Sequence, residues 1–297
     1  MKVCGFTIIR NAIKFDYPVI ESITSILPIC DEFVVAVGNS DDETLQLIQS
    51  INSPKIKIIE TVWDDSLREG GKVLADETNK AFDAIPSDFD WCFYIQSDEV
   101  VHEQDHQTIV DAMKNELNNT KIDGLLFNYK HFYGSYDFVG VSRKWYRKEI
   151  RIIKNDKKIR SYKDAQGFRK NARLSQYGQG NKLFVKQVDA SIYHYGWVKH
   201  PKFQQAKQQS FNKMWHDDNW MKENIAEVDE FDYSRVDLLT KFNGNHPEVM
   251  KNRVEKMNWK FSFDPTQIKL PLKLKFTHFI EKTTGKRIGE YKNYTLV

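Results

Sequence analysis

Four short apolar runs alternate with stretches of helical periodicity over the first hundred residues, and this alternation constrains the fold more than any other feature. The runs cover residues 3–9, 33–37, 55–59 and 91–95. Each is too short for a buried helix, is rich in β-branched or aromatic residues and ends in polar residues, so each reads as a strand, and 91–95 as a buried one. Between the first two, Asp16 is placed to cap a helix with Pro18 in its first turn and Val19, Ile20, Ile23, Ile26 and Leu27 on one face, ended by Pro28. Ser40-Asp41-Asp42-Glu43 reads as a capping box that opens a second helix through Leu45, Leu47, Ile48 and Ile51. A third helical pattern covers about residues 72–84. Strands alternating with helices predict an α/β fold around a parallel sheet.

Past the fourth strand a polar helix is expected near 103–117. It is followed by β-rich stretches at 124–132, 149–154 and 186–195 that would extend the sheet in mixed orientation. From Pro201 the composition turns to Gln, Lys, Asn, Asp and Trp at helical spacing. We therefore expect residues 1–115 and 116–200 to form two halves of one domain, with 201–297 a helical C-terminal region. A chain of 297 residues can bury such a core without staples. Cys4, Cys30 and Cys92 lie in apolar runs at wide spacing, which argues for buried free thiols rather than a zinc site or disulfides. No window offers the roughly 18 uninterrupted apolar residues of a spanning helix. The N-terminus has no signal-peptide pattern, so a cytoplasmic location is expected.

In open α/β sheets, ligands bind at the carboxyl ends of the strands. Those ends carry Arg10 and Asn11; Asn39, Asp41 and Asp42; Trp63, Asp64 and Asp65; and Gln96, Ser97, Asp98 and Glu99. Polar or acidic groups at four successive strand ends predict one polar crevice. Gly70-Gly71-Lys72, just before the third helix, offers backbone N–H groups and an ammonium suited to a phosphate.

These stretches resemble the family-2 glycosyltransferases of the GT-A fold, in the bacterial branch of about this length. The likeness is carried by Ile9-Arg10-Asn11, Asn39-Ser40-Asp41-Asp42-Glu43-Thr44, Gly70-Gly71-Lys72 with Asn79, Gln96-Ser97-Asp98-Glu99 and Ile192-Tyr193-His194-Tyr195-Gly196-Trp197. It implies a Rossmann-like nucleotide-diphospho-sugar transferase fold with a mixed sheet. The implied activity is divalent-metal-assisted, inverting transfer of a sugar from a nucleoside diphosphate-sugar to an acceptor hydroxyl in polysaccharide biosynthesis. By the same likeness Asp98 and His194 hold Mn²⁺ or Mg²⁺ and Asp164 is the candidate general base, with Asp137 and Glu103 as rivals. Arg10, Asn11, Asn39, Asp41, Asp42, Trp63, Gly71, Lys72, Gln96, Ser97 and Arg151 meet the substrate or nucleotide. Relatives carry D-x-D at the acidic turn; Gln96 replaces the first Asp, so the metal falls to Asp98.

The chemistry agrees with these roles. A diphosphate repels carboxylates unless a hard cation lies between them, and Mg²⁺ or Mn²⁺ takes one or two carboxylates plus phosphate oxygens. Each residue also has a structural reading: Asp98 and Glu99 as acids at a helix start, Asp41 and Asp42 as caps, His194 as a packed histidine. Net charge of +3 excludes a general polyanion binder, although residues 143–173 hold 13 Lys or Arg against three acidic residues, interleaved with Trp145, Tyr146, Tyr162 and Phe168. That stretch suits a solvated sheet edge or a phosphate-bearing substrate better than nucleic acid. Residues 270–291 mix Leu272, Leu274, Phe276, Phe279 and Ile280 with basic residues, the pattern of a docked helix or of peripheral contact with the inner membrane face, where a lipid-linked saccharide acceptor would lie. The competing reading from a different class is a non-catalytic nucleotide- or nucleic-acid-binding module on the same fold.

Overall fold

Strand β1 (Val3–Ile9) is buried along its whole length and lies between β2 (Glu32–Gly38) and β4 (Trp91–Tyr94), parallel to both. The structure is a computed structural model that describes residues 1–67, 70–171, 180–225, 228–234, 236, 238–264, 277, 280–281, 283–285, 287 and 289–297. Strand β3 (Ile56–Thr61) adds to β2, again parallel. The crossovers between these strands contain α1 (Val19–Ile26), α2 (Thr44–Gln49) and α3 (Lys72–Asp83). Alternate β1 side chains serve opposite faces: Val3 and Ile9 join a core with α1, while Cys4, Phe6 and Ile8 join a core with α3. That two-sided burial is why the strand lacks polar alternation. All three cysteines are buried free thiols.

After β4 come the short β5 (Glu99–Val101) and α4 (His106–Asn115), then β6 (Gly124–Tyr133), β7 (Ser135–Gly140) and β8 (Lys148–Lys154). β8 runs antiparallel between β4 and β6, so the sheet turns from parallel to mixed at β4. A separate three-stranded sheet holds β9 (Ile159–Tyr162), β10 (Gly167–Lys170) and β11 (Asn181–Lys182). The long β12 (Phe184–Trp197) pairs parallel with β6 and antiparallel with β5. It is followed by α5 (Pro201–Asn212), α6 (Asp218–Asn224), β13 (Leu239–Lys241) and α7 (Lys251–Glu255), with β14 (Thr295–Leu296) pairing back onto β12. The α/β class, the mixed extension and the helices after Pro201 agree with the sequence reading, and β5, β7, β9, β10, β11, β13 and β14 are strands it did not foresee. Among the described residues, no helix is long and apolar enough to cross a membrane.

Two helix starts differ from expectation. Asp16 does not cap α1: it sits in left-handed backbone and pairs with Arg253 at 2.7 Å, and the helix opens after Pro18. Ser40 and Glu43 form no capping box, because Ser40 Oγ accepts the Asn11 N–H at 3.0 Å and α2 opens only at Thr44.

The basic stretch resolves into internal partners over its described part, 143–171. Arg147 pairs with Glu290 at 2.8 Å, Arg160 with Asp83 at 2.5 Å and Lys170 with Asp123 at 2.7 Å, and Lys157 donates to the Phe82 carbonyl at 2.5 Å. The C-terminal segment is clasped the same way. Asn293 accepts the Tyr162 hydroxyl at 2.5 Å and donates to Glu149 at 3.0 Å, while Arg169 donates to the Asn293 carbonyl. Most of 270–291, including the apolar residues at 272, 274, 276 and 279, lies outside the described residues.

Candidate active site

The carboxyl ends of β1, β3 and β4 open into a cavity of about 260 Å³ whose lining includes Arg10, Tyr17, Trp63, Gln96, Ser97, Asp98, Asp164, His194 and Lys207. A second cavity of about 320 Å³ shares Arg10 and Met214 with it and is lined by Asn11, Lys14, Asp41, Asp64 and Asp65, among others. The crevice expected from the strand ends is thus two adjoining compartments. The first gathers Asp98, His194 and Asp164, whose protonation is shifted by burial and neighbouring charge, and the second mixes Asp41, Asp64 and Asp65 with Arg10, Lys14 and Lys213.

Asp98 is 8% exposed in the turn between β4 and β5. Its Oδ2 accepts from Lys207 Nζ at 3.1 Å, and its Oδ1 lies 3.7 Å from His194 Nε2. Burial alone would raise its carboxyl, but Lys207, His194 when protonated, and Lys199 outweigh that and hold it well below the usual carboxylate range. His194 comes from β12 and is 12% exposed at its side chain. Gly196 lets these two groups meet, since a Cβ there would lie 2.6 Å from Asp98 Oδ2 and 2.7 Å from His194 Nε2.

His131 on β6 stands behind His194, their Nδ1 atoms 3.2 Å apart, and its Nε2 is 2.8 Å from the Tyr146 carbonyl. A carbonyl only accepts, so His131 donates from Nε2 and receives at Nδ1. His194 therefore carries its proton on Nδ1, an assignment that follows from the hydrogen bonds. Burial lowers the pKa of both rings and keeps them neutral at pH 7. His194 Nε2 is left as a lone pair facing the Asp98 carboxylate. Two electron-pair donors facing one another fit a cation between them, with an oriented second ring behind the ligating one. Among the described residues no set of three His, Cys, Asp or Glu is placed to hold a metal. Two protein donors plus phosphate oxygens suffice for Mg²⁺ or Mn²⁺.

Asp164 enters from the turn between β9 and β10, flanked by Lys163 and Ala165 in left-handed backbone. Burial raises its carboxyl above the ordinary value. Gln96 donates to the Ala165 carbonyl at 3.2 Å and Arg151 to the Gln166 carbonyl at 2.8 Å, so the turn is tied to the strands beneath it. Gly71 packs against it, and a Cβ there would lie 2.9 Å from Asp164 Cβ.

Several residues expected to touch substrate have other work. Arg151 is fully buried and spends its donors on Glu99 at 2.7 Å from both Nε and Nη2, and on the Ile150 and Gln166 carbonyls. Glu99 also accepts the Tyr129 hydroxyl at 2.8 Å. The Arg151–Glu99 pair is a strut, not a substrate contact. Asn11 is in left-handed backbone, and its Oδ1 accepts the Asp41 N–H at 2.7 Å. Asp42 accepts from Lys14 N–H at 2.7 Å and from the Thr44 N–H and hydroxyl. Asn39 accepts from Trp63 N–H at 3.1 Å. Asn11, Asn39 and Asp42 hold the loops at the strand ends. Asp41 remains exposed beside Lys14 at 3.1 Å, and Lys72 opens α3. Lys207 and His131 were not foreseen. One sits in a polar helix and the other in an aromatic strand, and neither position carries a sequence signal of its neighbours.

No protein-family model matches the sequence, and no curated protein matches it. Solved structures similar to the chain include S. aureus TarS, at 14% identity over 71% of this chain and 39% of that chain, TM-score 0.41. S. aureus TarS 1-349 in complex with UDP is 15% identical over 70% of this chain and 64% of its own, TM-score 0.39. Glucosyl-3-phosphoglycerate synthase from Mycobacterium tuberculosis with Mn²⁺, UDP and phosphoglyceric acid is 18% identical over 44% of this chain and 43% of its own, TM-score 0.29. The chain thus spans less than two thirds of the length of these structures.

Proposed function

We propose that the protein is a glycosyltransferase of the GT-A type that moves a sugar from a nucleoside diphosphate-sugar to an acceptor hydroxyl. The observation that carries this reading is the convergence of Asp98, His194 and Asp164 on one cavity at the carboxyl ends of the parallel strands. The second compartment, lined by Asp41, Asp64 and Asp65 together with Arg10, Lys14 and Lys213, offers carboxylates for the ribose hydroxyls and base N–H groups of a nucleoside. The first compartment suits diphosphate and sugar.

Asp98 Oδ1 and His194 Nε2 would hold a divalent ion, which supplies Lewis acidity to the diphosphate when bound. Asp164, made more basic by burial, takes the acceptor hydroxyl proton as the acceptor oxygen bonds to the sugar's anomeric carbon. The bond from that carbon to the diphosphate oxygen breaks and its electron pair leaves with the diphosphate. Attack opposite the leaving group inverts the anomeric centre. A saccharide or lipid-linked saccharide acceptor, as in cell-surface polysaccharide synthesis, fits an enzyme acting at the inner membrane face.

Thermal stability measured with a panel of nucleoside diphosphates tests the site. A rise that requires Mn²⁺ or Mg²⁺ and disappears in Asp98→Ala is expected, and a rise independent of metal would remove the ion from the reading. Asp164→Asn should keep the rise but lose about 10²–10⁴-fold in turnover. A wild-type protein that neither transfers nor hydrolyses any nucleotide-sugar would leave only a binding module.

A further inference from the structure

We propose that Lys207 is a leaving-group residue whose ammonium donates to the donor's diphosphate, an inference that rests on the glycosyltransferase reading. Its position on α5 is the first argument. Gln204, Lys207, Gln208 and Phe211 follow the i, i+3, i+4, i+7 spacing of one helix face, the spacing that normally carries apolar core residues. Here the face is polar apart from Phe211, and Lys207, Gln208 and Phe211 line the cavity that holds Asp98 and His194. A lysine brought to an interior position by that face is not a solvated surface cation.

Its contacts are the second argument. Lys207 Nζ donates to Asp98 Oδ2 at 3.1 Å and to the Gly196 carbonyl at 3.0 Å, and stands 5.0 Å from the centre of the Tyr17 ring. Two of its three N–H groups are thereby fixed, which holds the ammonium in place and leaves donor capacity at the cavity wall. Lys199 does not share this placement. It is fully buried, donates to the Phe15 and Asp16 carbonyls at 2.7 and 3.3 Å, and does not line the cavity.

The chemistry is the third argument. One Asp98 oxygen accepts from Lys207 and the other faces His194, so Oδ1 with His194 Nε2 would hold an ion while Oδ2 stays tied to the ammonium. A diphosphate arriving beside the pair meets the tethered ammonium as well as the ion. When the bond between anomeric carbon and oxygen breaks, the electron pair stays on the diphosphate and Lys207 stabilises it by a charged hydrogen bond. Lys207 keeps its proton throughout.

Inorganic pyrophosphate, titrated calorimetrically with and without Mn²⁺, tests this, with Mn²⁺ binding followed separately by electron paramagnetic resonance. Lys207→Met should weaken pyrophosphate binding about ten- to a hundredfold in both conditions, as expected for loss of one charged hydrogen bond. Mn²⁺ affinity should be retained or increased, because Asp98 loses a competing cation, and Lys207→Arg should restore part of the pyrophosphate affinity. If Lys207 serves only as the counterion of Asp98, the Met variant loses stability but binds pyrophosphate as the wild type does, and the proposal falls while the glycosyltransferase reading stands. If the Met variant does not fold, Lys207→Arg and Lys207→Gln are compared instead, and equal pyrophosphate affinity in both overturns it. A wild-type protein that binds neither pyrophosphate nor any nucleoside diphosphate overturns both.

Discussion

Glu149→Gln should make the protein more stable by an amount that grows as pH rises from about 4.5 to about 7 and is constant above that. Glu149 is 1% exposed on β8, and its Oε1 accepts the Ile150 N–H at 2.9 Å and the Asn293 amide at 3.0 Å. Burial, only partly offset by Arg151 and these donors, pushes its carboxyl up from the ordinary 4.5 to about 7. Because the folded value is raised, the folded chain holds the proton more tightly than the unfolded chain between those values. Its contribution is complete below about pH 4.5 and is lost as pH rises through about 7. At about 1.36 kcal/mol per pH unit, the whole loss is about 3 kcal/mol. Glutamine is isosteric, can still accept the Ile150 N–H and carries no charge, so it escapes that loss. Urea unfolding of both proteins from pH 5 to pH 9 gives the difference directly, since groups common to both cancel. We expect the glutamine variant ahead by about 1 kcal/mol at pH 5 and by about 3 kcal/mol near pH 9. A difference independent of pH would refute the argument, because it would mean that Glu149 titrates alike in both states.

Two further expectations concern other buried polar groups. His131→Phe keeps a ring among Tyr129, Trp145 and Tyr146 but leaves the His194 proton unanchored. Mn²⁺ affinity measured by paramagnetic resonance should fall about 10- to 100-fold, and an unchanged affinity would remove the tautomer argument. Gln204 is fully buried, and neither polar atom of its amide has a hydrogen-bond partner among the described residues. Gln204→Met should therefore raise stability in urea by about 1–3 kcal/mol, whereas a loss of that size would mean that the amide is satisfied.

The central strands were legible because burial on both faces selects continuous apolar runs, and β1, β2 and β4 begin within two residues of expectation. The resemblance singles out Asp98 and Asp164, and the structure places both in the lining of one cavity. The roles of neighbouring polar residues were not legible. Asn11 and Asp42 look like ligand residues in sequence, yet their side chains hold loop N–H groups that have no ladder partner. Arg151 follows a strand pattern in which any polar residue could face a crevice. Its burial is set by Glu99, 52 positions earlier and across the sheet. Helix starts failed for a similar reason. Asp16 and Ser40 have the chemistry of caps, but Arg253 and Asn11 claim them first. Partners far apart in sequence compete with local ones, and local pattern cannot rank that competition.

The polar face of α5 also bears on how such a site can diversify. A helix that contributes few apolar groups to the core can exchange residues without disturbing the strands beneath it. Lys207, Gln208 and Phe211 line the cavity from that helix, whereas Asp98 and His194 are bound into the sheet region. Variation in what the site accepts can therefore accumulate at Gln208 and Phe211 while Lys207, Asp98 and His194 stay fixed, and a library confined to those two positions of α5 would explore specificity without touching the ion pair.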